Sequence, residues 1–183
     1  TALVFTTILW WPAAGLPCTA VLIPDEKHPV LAQSYDWSIG AGQLMVNKRG
    51  VAKRAMVTDP KSAGAERTST YLSVTFNQYG REFPSGGINE KGLVVELMWL
   101  DETVYPEPDR RVALPTLQWI QFQLDNSATV DDVIASDAQV RISVASARLH
   151  FLVAGDGYLI GPADGRAGQF VDICIVFDQQ IKG

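Results

Sequence analysis

The order of residue patterns along the chain constrains the fold more than any other feature of the sequence. Up to residue 113, short runs rich in β-branched and aromatic residues alternate with turn residues, which predicts strands. In LPTLQWIQFQLDN, from residue 114, apolar residues recur every three or four positions, which predicts a helix. RLHFLV at 148–153 returns to a strand pattern. Strands, then helices, then strands predict a layered α+β sandwich.

The first half of the chain contains two predicted strand pairs. CTAVLI at 18–23 and VLAQSYDW at 30–37 flank the turn sequence PDEKHP, which predicts a hairpin. QLMVNKRG and VAKRAMV, which meet at Gly50, predict a second pair. The basic run NKRGVAKR at 47–54 would then form the solvated face of an exposed hairpin.

A third hairpin is predicted in GGINEKGLVVELMWL. Its corner ends at Gly92, a residue suited to positive φ. The strands around the corner are rich in Val and Leu, so we expect them in the centre of a sheet. Two helices follow, the first with Pro115 at its start and the second, VDDVIAS, capped by Thr129 and Asp132.

The N-terminal 17 residues are typical of a signal or propeptide. Residues 1–11 are almost wholly apolar or Thr, and Pro12–Gly15 supplies small residues after them. The apolar run is too short to span a bilayer. We expect a secreted or periplasmic protein, and a buried N-terminal strand is the alternative interpretation.

Composition narrows the class of protein. A chain of 183 residues with 47% apolar and 19% charged residues is long enough for one globular domain. The net charge is −5 and no basic cluster exceeds NKRGVAKR, so a nucleic-acid surface is not expected. His28 and His150 have no third ligand in the pattern, so no metal site is predicted.

Cys18 is the strongest catalytic candidate, because it stands where the predicted propeptide ends and the first strand begins. If processing ends the mature chain there, one residue carries both a thiol and a free α-amine. Such groups have reference pKa values of about 8.5 and about 7.7 to 8.0, so the amine can take the proton of the thiol near neutral pH. A disulfide to Cys174 or a lipid on the thiol is the alternative.

Four motifs carry a resemblance to a known family. Cys18 opens a strand, Ser34–Trp37 closes its hairpin, Asn47–Gly50 ends a basic strand, and Gly87–Leu93 forms the corner. In this order, from Cys18 to about Val153, they resemble the choloylglycine hydrolase and penicillin V acylase family of linear-amide C–N hydrolases. The resemblance implies an αββα N-terminal-nucleophile hydrolase fold with Cys18 as nucleophile.

The resemblance also implies roles for other residues. Asp36 corresponds to the carboxylate that positions the nucleophile, and Trp99 to the residue whose backbone N–H contributes to the oxyanion hole and whose side chain shapes the substrate pocket. Gln33 stands where the family often has Arg, so it can orient or hydrogen-bond without adding a charge. Asn89 is interpreted as a corner residue that caps its own backbone, and a catalytic role is the alternative.

The resemblance covers residues 18–154, and 155–183 is interpreted as a divergent or frameshifted tail that leaves the sandwich incomplete at the C-terminus. The predicted activity is hydrolysis of a small-molecule amide through a thioester, with no metal or organic cofactor. The substrate would be of the bile-salt, penicillin V or N-acyl amide type, and the complete protein is expected to form homo-oligomers. The alternative is a non-catalytic exported domain or inactive fragment.

Overall fold

A computed structural model describes residues 18–23, 30–57, 64–99, 105, 107–143, 149–155 and 158–160. The predicted signal segment, His28 and Cys174 lie outside these residues. Contacts divide the chain into two compact units, one ending at Asp36 and the other beginning at Trp37.

The first unit contains the hairpin predicted around PDEKHP. Strand β1 (Thr19–Ile23) pairs antiparallel with β2 (Val30–Ser34), and Thr19 lies opposite Ser34. This confirms the hairpin. The second strand is shorter than predicted, since it ends at Ser34 and residues 35–37 have no strand partner.

The second unit is built on a six-stranded antiparallel sheet. Its strand order is β12-β11-β8-β7-β6-β3, and β7 and β8 lie in its centre as predicted, although only β8 is rich in Val and Leu. Two helices follow the central strands, which confirms the α+β class. The elements of this unit are β3 (Gln43–Asn47), β4 (Ala52–Arg54), β5 (Glu66–Thr68), β6 (Ser73–Asn77), β7 (Pro84–Asn89), β8 (Val94–Trp99), β9 (Val112–Pro115), α1 (Thr116–Asn126), α2 (Val130–Ser136), β10 (Val140–Ser143), β11 (Leu149–Gly155) and β12 (Tyr158–Ile160).

Residues close together in sequence form the predicted β7–β8 corner and the predicted cap of α2. Gly92 has φ 83°, which closes the β7–β8 corner at no steric cost. Thr129 and Asp132 form the predicted capping box: the Asp132 N–H donates to Thr129 Oγ1, and the Asp132 carboxylate accepts from the Thr129 N–H. Hydrogen bonds from the backbone N–H groups of Ala128 and Thr129 lower the pKa of Asp132.

The helices cover one face of the large sheet. Val95 and Leu97 of β8 are buried on this face, and the Trp119 ring of α1 packs 4.6 Å from the Phe151 ring of β11. Trp119 is therefore a core residue. The opposite face carries exposed apolar side chains, among them Leu44 and Phe76. Neither helix in the described part of the chain is long and apolar enough to cross a membrane.

The predicted pairing of residues 43–50 with 51–57 is wrong. β3 pairs with β6, and β4 pairs with β5. Gly50 turns the chain with φ 72°, but the turn is fixed by a distant residue: Ser69 accepts from the Gly50 N–H through its carbonyl and donates from its hydroxyl to the Lys48 carbonyl. These contacts carry Val51 toward the β5 strand and away from β3.

The predicted solvated face of NKRGVAKR is also wrong at Lys53. Its side chain is 7% exposed, and Nζ lies 2.9 Å from Glu82 Oε1 and 3.0 Å from Asp125 Oδ1. A buried ammonium group requires such partners. The sequence also gave no sign of the parallel pair β9–β10, which links the residues before α1 to those after α2.

Candidate active site

Cys18 lies at the open end of the first hairpin. It directly precedes β1, and its thiol is free and half-buried. Because Thr19 pairs with Ser34, the antiparallel register brings Cys18 to the same end of the hairpin as Tyr35 and Asp36. The hairpin therefore gathers two predicted site residues that are 18 positions apart in sequence.

Gln33 shares a face of this hairpin with Cys18. Ala20 is paired with Gln33, and side chains alternate along a strand, so Cys18, Ala20 and Gln33 lie on one half-buried face. Gln33 is the diagonal neighbour of Cys18 across the two strands, a spacing of roughly 7 to 8 Å. An amide side chain at this distance is close enough to orient a group bound at the thiol.

Asp36 follows the end of β2 and is exposed. Its Oδ2 accepts a hydrogen bond of 3.0 Å from the Ser34 hydroxyl. This bond restricts the carboxylate at the point where the strand pleat no longer fixes its direction. Ser34 therefore supports Asp36 directly. Both residues lie in the motif Ser34–Trp37, but the motif alone did not predict the hydrogen bond between them.

Trp99 ends β8 and contacts a second tryptophan. The Trp37 and Trp99 rings lie 5.8 Å apart at an interplanar angle of 34°. Trp37 Nε1 donates a 2.8 Å hydrogen bond to Tyr79 Oη, which fixes the Trp37 indole. Trp37 and Trp99 are 45% and 40% exposed. Two tilted, partly exposed indoles form an aromatic surface suited to a flat apolar group.

Asn89 is separated from Trp99 by the length of β8. The strand has six residues, so its two ends are about 17 Å apart. Asn89 Oδ1 accepts from the N–H groups of Lys91 and Leu93, and Nδ2 donates to the carbonyls of Leu124 and Ser127. The interpretation of Asn89 as a residue that caps its own corner therefore holds, and the same side chain joins the corner to the end of α1.

Two of the sequence motifs meet at this corner. Arg49 of the basic strand end forms a bidentate ion pair with Glu90, and Glu90 Oε1 also accepts from the Leu72 N–H at 3.0 Å. These contacts connect Asn47–Gly50 with Gly87–Leu93 as a structural unit.

Glu96 is the buried carboxyl group of the central strands. It is 9% exposed, and burial raises its pKa to about 8. A Cβ on the facing Gly86 would lie 1.7 Å from Glu96 Oε2, so only glycine leaves room for this side chain. Within the described ranges, no three His, Cys, Asp or Glu side chains are grouped as metal ligands would be.

Comparison with known proteins assigns the chain to a family. The sequence model described as linear amide C–N hydrolases, choloylglycine hydrolase family, matches residues 18–161. The chain belongs to the choloylglycine hydrolase family. The match begins at Cys18 and includes every residue named above for the candidate site.

The sequence and the fold are also similar to those of individual proteins. A penicillin V acylase from Pectobacterium atrosepticum is 30% identical over 176 residues, which cover 84% of this chain and 46% of that protein. The structure of a penicillin V acylase from Agrobacterium tumefaciens is 27% identical with a TM-score of 0.64, over 82% of this chain and 48% of that one. A mutant of conjugated bile acid hydrolase from Clostridium perfringens shares the fold at 16% identity, with a TM-score of 0.57 over 76% and 45% of the two chains.

These matches extend over only part of each relative. The chain spans about half the length of the choloylglycine hydrolase relatives that it matches. The structural similarity supports the α+β sandwich of N-terminal-nucleophile hydrolases, of which the sheet with its covering helices is seen directly.

Three residues were not predicted as functional residues: Ser34, which contacts Asp36, Trp37, which contacts Trp99, and Tyr79, which contacts Trp37. Ser34 and Trp37 lie within a motif of the choloylglycine hydrolase family, so their position next to Asp36 was a usable indication. Tyr79 lies 42 residues from Trp37 in sequence, and nothing in the local pattern connects the two.

Proposed function

We propose that the chain is part of a cysteine amidohydrolase that hydrolyses linear amides with an aromatic or apolar acyl group. The observation that carries the proposal is that the family match starts at Cys18, a free, half-buried cysteine at the beginning of a strand. An N-terminal nucleophile requires a thiol and an α-amine on one residue, and Cys18 would supply both after removal of residues 1–17.

The proposed reaction has two stages. The α-amine of Cys18 accepts the thiol proton, and the thiolate attacks the amide carbonyl to give a tetrahedral oxyanion. Collapse of this intermediate breaks the C–N bond, the amine leaves with the proton, and a thioester remains on Sγ. Water, deprotonated by the same α-amine, then cleaves the thioester and releases the acid.

Three other residues have proposed roles. Asp36, restrained by Ser34, would orient the Cys18 amine or thiol. The Trp99 N–H would donate to the oxyanion, an interaction whose loss typically costs about 10²- to 10³-fold. Gln33 lies on the Cys18 face of the hairpin and would hydrogen-bond the substrate near the thiol. No metal or organic cofactor enters this reaction.

The aromatic pair supports the proposed substrate class. Trp37 and Trp99 present partly exposed rings, and Tyr79 fixes one of them. A phenoxyacetyl or phenylacetyl group has the shape and polarity to pack on such a surface. The relative named penicillin V acylase is consistent with an aromatic acyl group.

The proposal is tested by analysis of the mature N-terminus and of the acyl-enzyme. N-terminal sequencing of the exported protein is expected to begin at Cys18. Mixing with a phenoxyacetyl amide and acid quenching should give an intact mass increased by one acyl group, located on Cys18 by peptide mapping. A stable terminus upstream of Cys18, or a thiol blocked by a disulfide or lipid, would instead favour the non-catalytic exported domain.

A further inference from the structure

The loop between β6 and β7, residues 78–83, is held by a buried polar chain on one side. Asn47 Nδ2 donates to Thr75 Oγ1 at 3.0 Å, and the Thr75 hydroxyl donates to Asn77 Oδ1 at 2.7 Å. Asn77 Nδ2 then donates to the Gly80 carbonyl at 2.9 Å. The base of the loop is thereby fixed to the interior of the sheet.

Glu82 is the strained residue of this loop. Its φ is 71°, and it is the single non-glycine residue with positive φ in the part of the chain that the structure describes. A non-glycine residue in this region is strained and persists only where its surroundings fix it. Such residues are found preferentially at functional sites.

Two buried cations fix Glu82. Lys53 Nζ lies 2.9 Å from Glu82 Oε1, and Arg67 Nη2 lies 2.9 Å from Glu82 Oε2. The Lys53 and Arg67 side chains are 7% and 3% exposed. Asp125, at the end of α1, holds both cations from the other side at 3.0 and 2.8 Å. The cations therefore form a rigid base to which the Glu82 carboxylate is attached.

The other side of the loop holds the segment that follows Asp36. Tyr79 Oη accepts the hydrogen bond from Trp37 Nε1, and Gln78 Nε2 donates to the Ile39 carbonyl. Trp37 is the residue that contacts Trp99. One short loop thus carries both Glu82, which contacts the buried cations, and Tyr79, which contacts the aromatic pair, and its backbone joins the two.

We propose that Glu82 is a positioning residue for the acyl-binding surface: its two ion pairs hold loop 78–83 in the conformation that places Tyr79 against Trp37. This inference rests on the proposed function for the identity of the acyl group. The inference also explains the positive φ of Glu82. With a negative φ at this residue, the loop would follow a different path and Tyr79 would be displaced. Selectivity for an aromatic acyl group then depends on two ion pairs outside the aromatic surface.

The test compares Glu82→Gln with Glu66→Gln. Glu66 is also paired with an arginine, but that pair is 3.6 Å long and more than 70% exposed, and Glu66 makes no contact with the loop in the hydrogen bonds and ion pairs described. The Trp37 indole N–H is identified by NMR as the signal lost in Trp37→Phe, and its exchange with solvent is measured. In Glu82→Gln we expect exchange about 10-fold faster, as loss of one hydrogen bond permits, and no change in Glu66→Gln.

Two further variants distinguish the effect of the Glu82 carboxylate from that of the backbone strain, and they keep the test usable if Glu82→Gln folds poorly. Glu82→Gly accepts positive φ without strain but has no carboxylate. Its indole should exchange as fast as that of Glu82→Gln, and exchange at the wild-type rate would overturn the inference. Tyr79→Phe leaves the ion pairs intact and removes the acceptor directly, so it should reproduce the fast exchange even if Glu82→Gln folds poorly.

Substrate selectivity is the second readout. For Glu82→Gln we expect KM for a phenoxyacetyl amide to rise about 3- to 10-fold while kcat and the KM for an acetyl amide stay unchanged. The affinity for free phenoxyacetate, followed on the indole signals, should fall by a similar factor. Equal changes for both acyl groups, or unchanged phenoxyacetate affinity despite fast exchange, would make Glu82 a purely structural residue and overturn the inference. A wild-type protein that binds phenoxyacetate but hydrolyses neither amide would contradict the proposed function, and the exchange and binding results would still decide the role of Glu82.

Discussion

The hairpins β1–β2 and β7–β8 have the same antiparallel topology and very different surroundings. In β1–β2, Val21, Ile23 and Val30 are more than half exposed, and near its open end the Ser34 hydroxyl donates to Asp36. In β7–β8, the strands lie in the centre of the large sheet, and Val95 and the corner residue Asn89 are buried.

The two hairpins therefore differ in the residues that they carry: the exposed one contains the proposed nucleophile, and the corner of the buried one contains a structural residue. Cys18, the proposed nucleophile, and Asp36 lie at the open end of the exposed hairpin, where the thiol is half-buried and Asp36 is exposed to solvent. The Asn89 side chain donates two hydrogen bonds to the helix end and accepts two at the corner, which is all that an amide side chain can form. Variants of Cys18 and Asp36 in the first hairpin should therefore change activity with little effect on stability, and variants of the buried residues Asn89 and Glu96 in the second should do the reverse.

The largest expected effect is the loss of the nucleophile. Cys18→Ala should lower hydrolysis of a phenoxyacetyl amide by roughly 10³-fold or more, because no other group replaces the thiol. Its midpoint of thermal unfolding should remain near that of the wild type, since the thiol is only half-buried. If Cys18→Ala retained more than a tenth of the activity, Cys18 would not be the nucleophile. The exposed hairpin would then no longer be the part of the chain that carries the reaction.

Next in size is the pH dependence contributed by Glu96. Burial raises its folded-state pKa from 4.5 to about 8, so between these values the folded chain retains a proton that the unfolded chain has lost. Stability conferred by this group is complete below pH 4.5 and is lost as the pH rises through about 8. Between pH 5 and pH 8 the loss is on the order of 4 kcal/mol. Glu96→Gln should abolish this dependence in urea unfolding measured from pH 5 to 8, whereas Glu107→Gln, on an exposed residue, should leave it unchanged.

Removal of the Asn89 side chain should have a slightly smaller effect on stability. Asn89→Ala leaves two carbonyls and two N–H groups without their partner, and we expect a loss of about 3 kcal/mol in the free energy of unfolding. The matched control is Asn126→Ala, because Asn126 makes one bond, to the Phe122 carbonyl within α1. Activity per folded molecule should be unchanged, and a selective loss of kcat would transfer Asn89 from the scaffold to the catalytic residues.

The smallest of the four effects is expected at Asp36. Asp36→Asn keeps the shape of the side chain and should lower turnover by about 10²-fold, the usual contribution of a positioned catalytic group. Ser34→Ala removes only the hydrogen bond to Asp36 and should cost less than 10-fold. Equal kcat values for Asp36→Asn and the wild type would reduce Asp36 to a turn residue.

The features that could be predicted from the sequence depend on neighbouring residues. Gly92 closes the β7–β8 corner, and Thr129 with Asp132 caps α2, because each interaction joins residues at most a few positions apart. The amphipathic spacing of α1 and the alternating pattern of β1 are likewise local. The family motifs extended the prediction to Cys18 and Asp36, whose roles in the reaction stay predictions for the experiments above.

The features that could not be predicted join distant residues. The sequence favoured pairing of β3 with its neighbour β4, and Ser69 diverted the chain. Lys53 looked like one charge in a solvated run, yet it contacts Asp125, 72 residues away. The aromatic contact of Trp37 with Trp99 and its bond to Tyr79 likewise have no local signature.

The sequence by itself determined the α+β class, the central corner hairpin, the cap of α2 and the family with its nucleophile candidate. Each follows from backbone preferences, periodicity or motif order, which are properties of short segments. The tertiary structure alone decided the strand pairing around Gly50, the buried ion pairs of Lys53 and Arg67, and the strained Glu82 that they hold. Burial makes these contacts strong, and burial is set by the packing of segments that the chain brings together only when it folds.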